Sequence, residues 1–198
     1  AGQAFHSHEP IRKVSDLKGT KIRTPTRTGA WLIEAMGATP IGAPVSQIPE
    51  MLSKKIVDSV MIPFEITLPL KVDELVDYHT VLDDPVFSRI NTSTFMIVMN
   101  RERYDSLPAD LRQVIDDNSG MHIARWLGEI WEAAELPGLK KAAASGEVIK
   151  MSSEEVAELR TRVEQPVIDR WIADVAKRGI DGNALVSEAR ALIQKYSK

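Results

Sequence analysis

Asp16-Leu17-Lys18-Gly19-Thr20-Lys21-Ile22-Arg23-Thr24-Pro25 is the stretch of this 198-residue chain that decides its fold. Thr20–Arg23 reads as a short strand. Thr24 to Gly29 forms a loop, and an amphipathic helical pattern starts at Ala30 and runs to Met36. A strand-to-helix loop in an α/β layer is where ligands bind, and a helix N-terminus favours anions. Arg23 stands at the end of that strand, and its planar fork matches a carboxylate with two parallel hydrogen bonds. The pattern alone leaves two readings of Arg23 open, a carboxylate clamp and a surface salt bridge.

Working outward, further strand-like runs at Thr39–Gly42, Val57–Ile62 and His79–Leu82 alternate with helical stretches such as Gln47–Ser53, so the first half reads as α/β. Ser93–Met99 is the most apolar run and lacks clean alternation, which predicts a strand buried on both faces. The second half is helical. Pro108 suits a first turn, and Ile123, Trp126, Leu127, Ile130, Trp131 and Ala134 recur at helical spacing until Pro137-Gly138 interrupts the pattern, which reads as one long amphipathic helix with a break or kink. After a short strand at Glu147–Lys150, Ser152 and Glu155 make a capping box. The apolar stripe Val156, Leu159, Val163, Val167, Trp171, Val175 follows, with a kink expected from Pro166 and an end at Gly179. Leu185, Val186, Ala189, Leu192 and Ile193 define a final helix.

Composition bounds the function. The net charge is −3, from 25 basic and 28 acidic residues interspersed without a basic stripe, which argues against nucleic acid as a partner. Cysteine is absent, which removes disulfides, thiolate nucleophiles and cysteine zinc sites. Charged residues interrupt every apolar run before membrane-spanning length, and AGQAFHSHEP lacks the layout of a signal peptide, so an export signal would lie upstream. No nucleophile-elbow, zincin, P-loop or dinucleotide glycine motif is present. His6 and His8 would share a strand face and could hold a metal, though ordinary packing is the better reading and no metal or cofactor is expected. His79 and His122 read as hydrogen-bonded or surface residues. Asp83-Asp84 and Asp116-Asp117 read as turns or solvated faces.

The stretch at 16–25 resembles the DLKGxKIRxP signature of substrate-binding subunits of tripartite ATP-independent periplasmic (TRAP) transporters, the DctP-type family. Gly37-Ala38-Thr39-Pro40 resembles the family's GATP segment. Met51-Leu52 through Val57-Asp58 is similar to ALQxGxVDG, and Tyr104 to Leu111 is similar to YxxLPxDLR. The resemblance implies a type II periplasmic-binding-protein fold, with two α/β domains closing over the ligand and a long bracing helix. Residues 1–90 and 131–198 would build the second domain, and 91–130 would return to a first domain whose N-terminal segment is absent here. It implies a non-enzymatic periplasmic subunit that captures a small organic carboxylate or dicarboxylate and delivers it to a membrane permease.

In that frame Arg23 is the main partner of the ligand carboxylate. Thr26, Val45, Ile62, Phe64 and Glu65 are the expected wall residues. Where sugar-acid binders carry an Asn before a Pro, this chain has Ile62 before Pro63, and Phe64 follows. Ile62 has no hydrogen-bonding group, which favours an acid with an apolar or aromatic body. The rival readings are an α/β enzyme with Glu65 as general base beside Arg23, and a remnant that keeps the fold without binding. An unpaired Ser93–Met99 strand and the Ile123–Trp131 helix further lead us to expect a homo-oligomer.

Overall fold

The computed structural model describes residues 2–84 and 88–196. Its strands are β1 (Gly2–Ser7), β2 (Lys21–Thr24), β3 (Thr39–Gly42), β4 (Ser59–Ile62), β5 (Tyr78–Leu82), β6 (Asn91–Thr92) and β7 (Glu147–Met151). Its helices are α1 (Arg27–Ala35), α2 (Ile48–Ser53), α3 (Arg101–Asp105), α4 (Ala109–Asp117), α5 (Met121–Ser145), α6 (Ser153–Ala176) and α7 (Gly182–Tyr196).

The sheet runs β3-β2-β4-β1-β5-β7, with β6 added to one end of β1. β2 is parallel to β3 and β4, β5 is parallel to β7, and β1 lies antiparallel between β4 and β5. The carboxyl ends of β2, β3, β4, β5 and β7 therefore share one edge, and β1 begins there. Alternation along the strands separates two faces. Phe5, Ile22 and Met61 pack with Ile33 and Met36 of α1 and Val156, Leu159 and Val163 of α6. On the other face Val60 and Ile62 pack with Ile48, Met51 and Leu52 of α2, while Ala4, Phe64 and Val81 pack against Ala142 of α5. Full burial of each large apolar side chain contributes roughly 1.5–3 kcal/mol.

Several expectations are met closely. Ser152 caps α6 by accepting from the Glu155 backbone N–H at 3.4 Å. The other half of the capping box differs, because the Glu155 carboxylate accepts from the Val14 N–H at 2.6 Å and so ties α6 to the turn before β2. Gly179 adopts a positive φ of 73° just past α6.

Other expectations need correction. The single long helix expected here is α5, but of the break or kink foreseen at Pro137-Gly138 no break occurs: it continues to Ser145, and Gly138 is buried in its packed half. Proline forfeits one backbone hydrogen bond there, while Gly138 lets the helix press against the backbone of Phe64, and that packing prevails. Ser93–Met99 forms no strand; Met96, Ile97 and Val98 are 83%, 87% and 80% exposed. A strand needs neighbours for its N–H and C=O groups, and none of the described residues supplies them to this run. The N-terminal half of α5 also leaves its apolar stripe open, with Trp126 and Ile130 exposed. Among the described residues no helix is long and apolar enough to cross a membrane.

Candidate functional site

One row of residues crosses the sheet from Ile41 through Arg23, Val60, His6 and His79 to Val148, all on the face covered by α2 and α5. Arg23 is 2% exposed. Its Nε and Nη2 both donate to the Ala43 carbonyl, at 3.0 and 2.7 Å, and Nη1 has no partner among the described residues. Burial lowers the Arg23 pKa from its ordinary value, and no nearby carboxylate counters that shift. The surface salt-bridge reading is therefore set aside. Enclosing a guanidinium without a counter-charge is costly, and an anion beside it would offset the cost.

The other expected wall residues follow the carboxyl ends of the neighbouring strands. Thr26 caps α1, its Oγ1 accepting from the Gly29 N–H at 3.0 Å. Val45 opens a short 3-10 turn after β3 and is 46% exposed. Ile62 and Phe64 are enclosed rather than open, at 2% and 0% exposure. The ring of Phe64 meets His6 edge-on with centroids 5.0 Å apart, and the Arg89 guanidinium lies over it at 5.7 Å. Glu65 accepts from the Trp131 indole N–H at 3.1 Å through Oε1, and its Oε2 is buried without a partner. Burial raises the Glu65 carboxyl pKa, the Trp131 hydrogen bond opposes that, and the Glu135 charge adds to it.

Arg89 and Glu135 were not singled out from the sequence, because 46 residues separate them and neither belongs to a motif. Arg89 Nη2 donates to Glu135 Oε2 at 3.0 Å. Both residues, with Trp131 and Phe95, line a cleft of about 780 Å³ beside β1 and α5; Arg23 does not line it. Phe95 stacks on Trp131 with centroids 5.0 Å apart. Gln3, buried on β1, donates to Ser93 Oγ at 2.8 Å.

The histidines hold one another and the backbone. His6 Nε2 meets the Ile62 carbonyl at 3.1 Å and must donate, so its Nδ1 accepts from His79 Nδ1 at 2.8 Å. His79 Nε2 is left as a buried acceptor without a partner. Burial, reinforced by His79, lowers the His6 pKa to about 3. His8 Nε2 turns to the Leu52 carbonyl at 3.0 Å, so His6 and His8 do not converge on a common point. Among the described residues no group of three potential metal ligands forms. Asp116 accepts from the Tyr104 hydroxyl at 2.6 Å and Asp117 from Gln113 at 2.7 Å. His122 lies on the surface and meets the Asp117 carbonyl at 3.0 Å.

The chain, a mixed sheet with a long helix across one face, matches known proteins. The family described as bacterial extracellular solute-binding protein, family 7 (DctP) matches residues 2–174. The chain belongs to that family. Among solved structures this DctP-family chain is similar to a TRAP solute-binding protein from Rhodoferax ferrireducens T118 in complex with copurified benzoate. That match has a TM-score of 0.93 and 36% identity, covering 100% of this chain and 61% of that one. A marine metagenome TRAP solute-binding protein specific for aromatic acid ligands, in complex with metahydroxyphenylacetate, matches at TM-score 0.92 and 36% identity over 100% of this chain and 62% of that one. The outer membrane transporter protein TsaT of Comamonas testosteroni is 27% identical over 192 residues, 96% of this chain and 55% of that protein. The chain thus spans little more than half the length of the relatives it matches.

Proposed function

We propose that this chain is the larger part of the periplasmic solute-binding subunit of a TRAP transporter, which takes a small organic acid on Arg23 and presents it to the membrane permease without transforming it. The observation that carries this reading is the enclosed Arg23 guanidinium, which lacks any acidic partner among the described residues at the carboxyl edge of the sheet. Residues 1–90 and 131–198 serve as one domain of a two-domain binding protein, and 91–130 reach toward the other. The exposed apolar side chains of Met96, Ile97, Val98 and Trp126 support that division, since they need a covering surface. When the chain is isolated, the same surface favours association with a second copy.

Aromatic and branched aliphatic acids are the favoured class. Ile62 and Phe64 are enclosed in the core at the end of β4, so that strand end offers a sugar hydroxyl no hydrogen-bonding side chain in place of water. The aromatic ligands of the two structural relatives at 36% identity support this choice. Use of Glu65 as a general base draws support only from its raised pKa; its Oε1 is already committed to Trp131.

A thermal-shift screen on the natural-length protein tests the reading. A ligand that binds only the native state raises stability as RT ln(1 + [L]/Kd), about 2.7 kcal/mol at a hundredfold excess over Kd. Benzoate-like acids should raise the melting temperature more than sugar acids. A larger shift from sugar acids, or none from any acid, contradicts it.

A further inference from the structure

Three charged side chains meet where α5 crosses the carboxyl edge, and each is only half satisfied. Arg89 could face Glu135 with two parallel hydrogen bonds, yet it uses Nη2 alone, leaving Arg89 Nε and Glu135 Oε1 buried without partners. Glu65 spends Oε1 on Trp131 and leaves Oε2 buried and free of partners. Glu65 and Glu135 are close enough for their charges to interact. Phe64 lies under Arg89, Phe95 stacks on Trp131, and the remaining Arg89 Nη1 donates to the Ser88 carbonyl at 3.2 Å. Buried polar groups in such a setting cost free energy until something pairs with them.

We propose that Glu65, Glu135 and Arg89 form a second, polar subsite that selects organic acids carrying a ring hydroxyl or ring amine away from the carboxylate, a proposal that rests on the carboxylate reading of Arg23. Two spare carboxylate oxygens ask for donors, and the spare Arg89 N–H asks for an acceptor. A hydroxyl supplies both, and an amine supplies the donors. The spacing suits a small aromatic ligand. Glu65 follows β4, the strand next to Arg23, and Arg89 packs against Gly2 at the start of β1, one strand further on. Strands lie about 4.8 Å apart, so the strand that carries Arg23 and the strand ends beside the subsite are offset across the sheet by roughly 5–10 Å.

Titration calorimetry on the natural-length protein with benzoate, the 3- and 4-hydroxybenzoates and the 3- and 4-aminobenzoates tests the subsite. A hydrogen bond to a charged group predicts that at least one hydroxy acid and one amino acid of this set bind roughly tenfold or more tightly than benzoate. Glu65→Gln keeps an acceptor for Trp131 but replaces the spare oxygen with an NH2 group. It should lower the aminobenzoate-to-benzoate affinity ratio, since only the Glu135 oxygen is left to accept, while hydroxybenzoates, which can accept from the new amide, keep more of their advantage. Benzoate binding with no gain from any substituent overturns the subsite and leaves the Arg23 reading standing, as does an aminobenzoate ratio that Glu65→Gln leaves unaltered. Failure of every acid to bind removes both.

Discussion

The Nδ1 atoms of His6 and His79 lie 2.8 Å apart in the middle of the sheet, and with His6 Nε2 donating to the Ile62 carbonyl that contact requires His6, the acceptor, to be neutral in the folded protein. The His6 pKa is lowered from 6.5 to about 3, chiefly by burial. His79 is lowered in the same direction by burial, against the charges of Asp73 and Asp77.

Stability should therefore fall as the solution is acidified. Between pH 6.5 and about 3 the unfolded chain binds a proton at His6 that the folded chain refuses, so this contribution is complete above 6.5 and is lost progressively below it. The slope from His6 alone approaches about 1.4 kcal/mol per pH unit. Glu65, whose carboxyl pKa is raised by burial, works in the opposite sense and offsets part of the loss. Denaturant melts at pH 7, 6 and 5 measure the sum; stability that is flat or rising toward pH 5 contradicts the neutral His6.

Two glycines on α5 should respond oppositely to alanine. A Cβ at Gly138 would lie 2.0 Å from the Phe64 carbonyl oxygen, a backbone atom that cannot step aside, whereas nothing lies within 4 Å of a Cβ at Gly128. Gly138→Ala should destabilise by about 1–3 kcal/mol through overpacking. Gly128→Ala should stabilise by up to about 1 kcal/mol through helix propensity. Chemical denaturation of both variants decides the matter, and a stabilising Gly138→Ala would mean that α5 does not seat against Phe64.

The isolated 198-residue chain should self-associate at micromolar concentration through the apolar run around Met96, Ile97 and Val98. Met96→Lys with Val98→Lys places charge on that run and should shift the chain toward monomer in light scattering. A wild-type monomer, or an oligomer indifferent to both lysines, contradicts this.

Much of this architecture was legible from local pattern. The strand ending at Arg23, the run at Thr39–Gly42 and the Ser152 cap each declare themselves within a few residues, because alternation and capping are local physics. The misreadings are non-local. Ser93–Met99 has strand composition but finds no pairing partner among the described residues, and Pro137 is tolerated because Gly138 packs against a residue 74 positions earlier, Phe64. The Arg89–Glu135 pair and the His6–His79 contact join positions 46 and 73 residues apart, and no spacing rule in one sequence exposes such meetings. Arg23 was placed by its strand end, whereas its enclosure by the Ala43 carbonyl could come only from the fold.

Calorimetric titration of benzoate into the natural-length protein and its Arg23→Ala variant tests the central claim most directly. Removing one partner of a buried charge-assisted pair costs on the order of 3 kcal/mol, so the variant should bind roughly a hundredfold more weakly while its far-UV circular dichroism is retained. A folded Arg23→Ala protein whose benzoate affinity matches that of the wild type would take Arg23 out of the binding site.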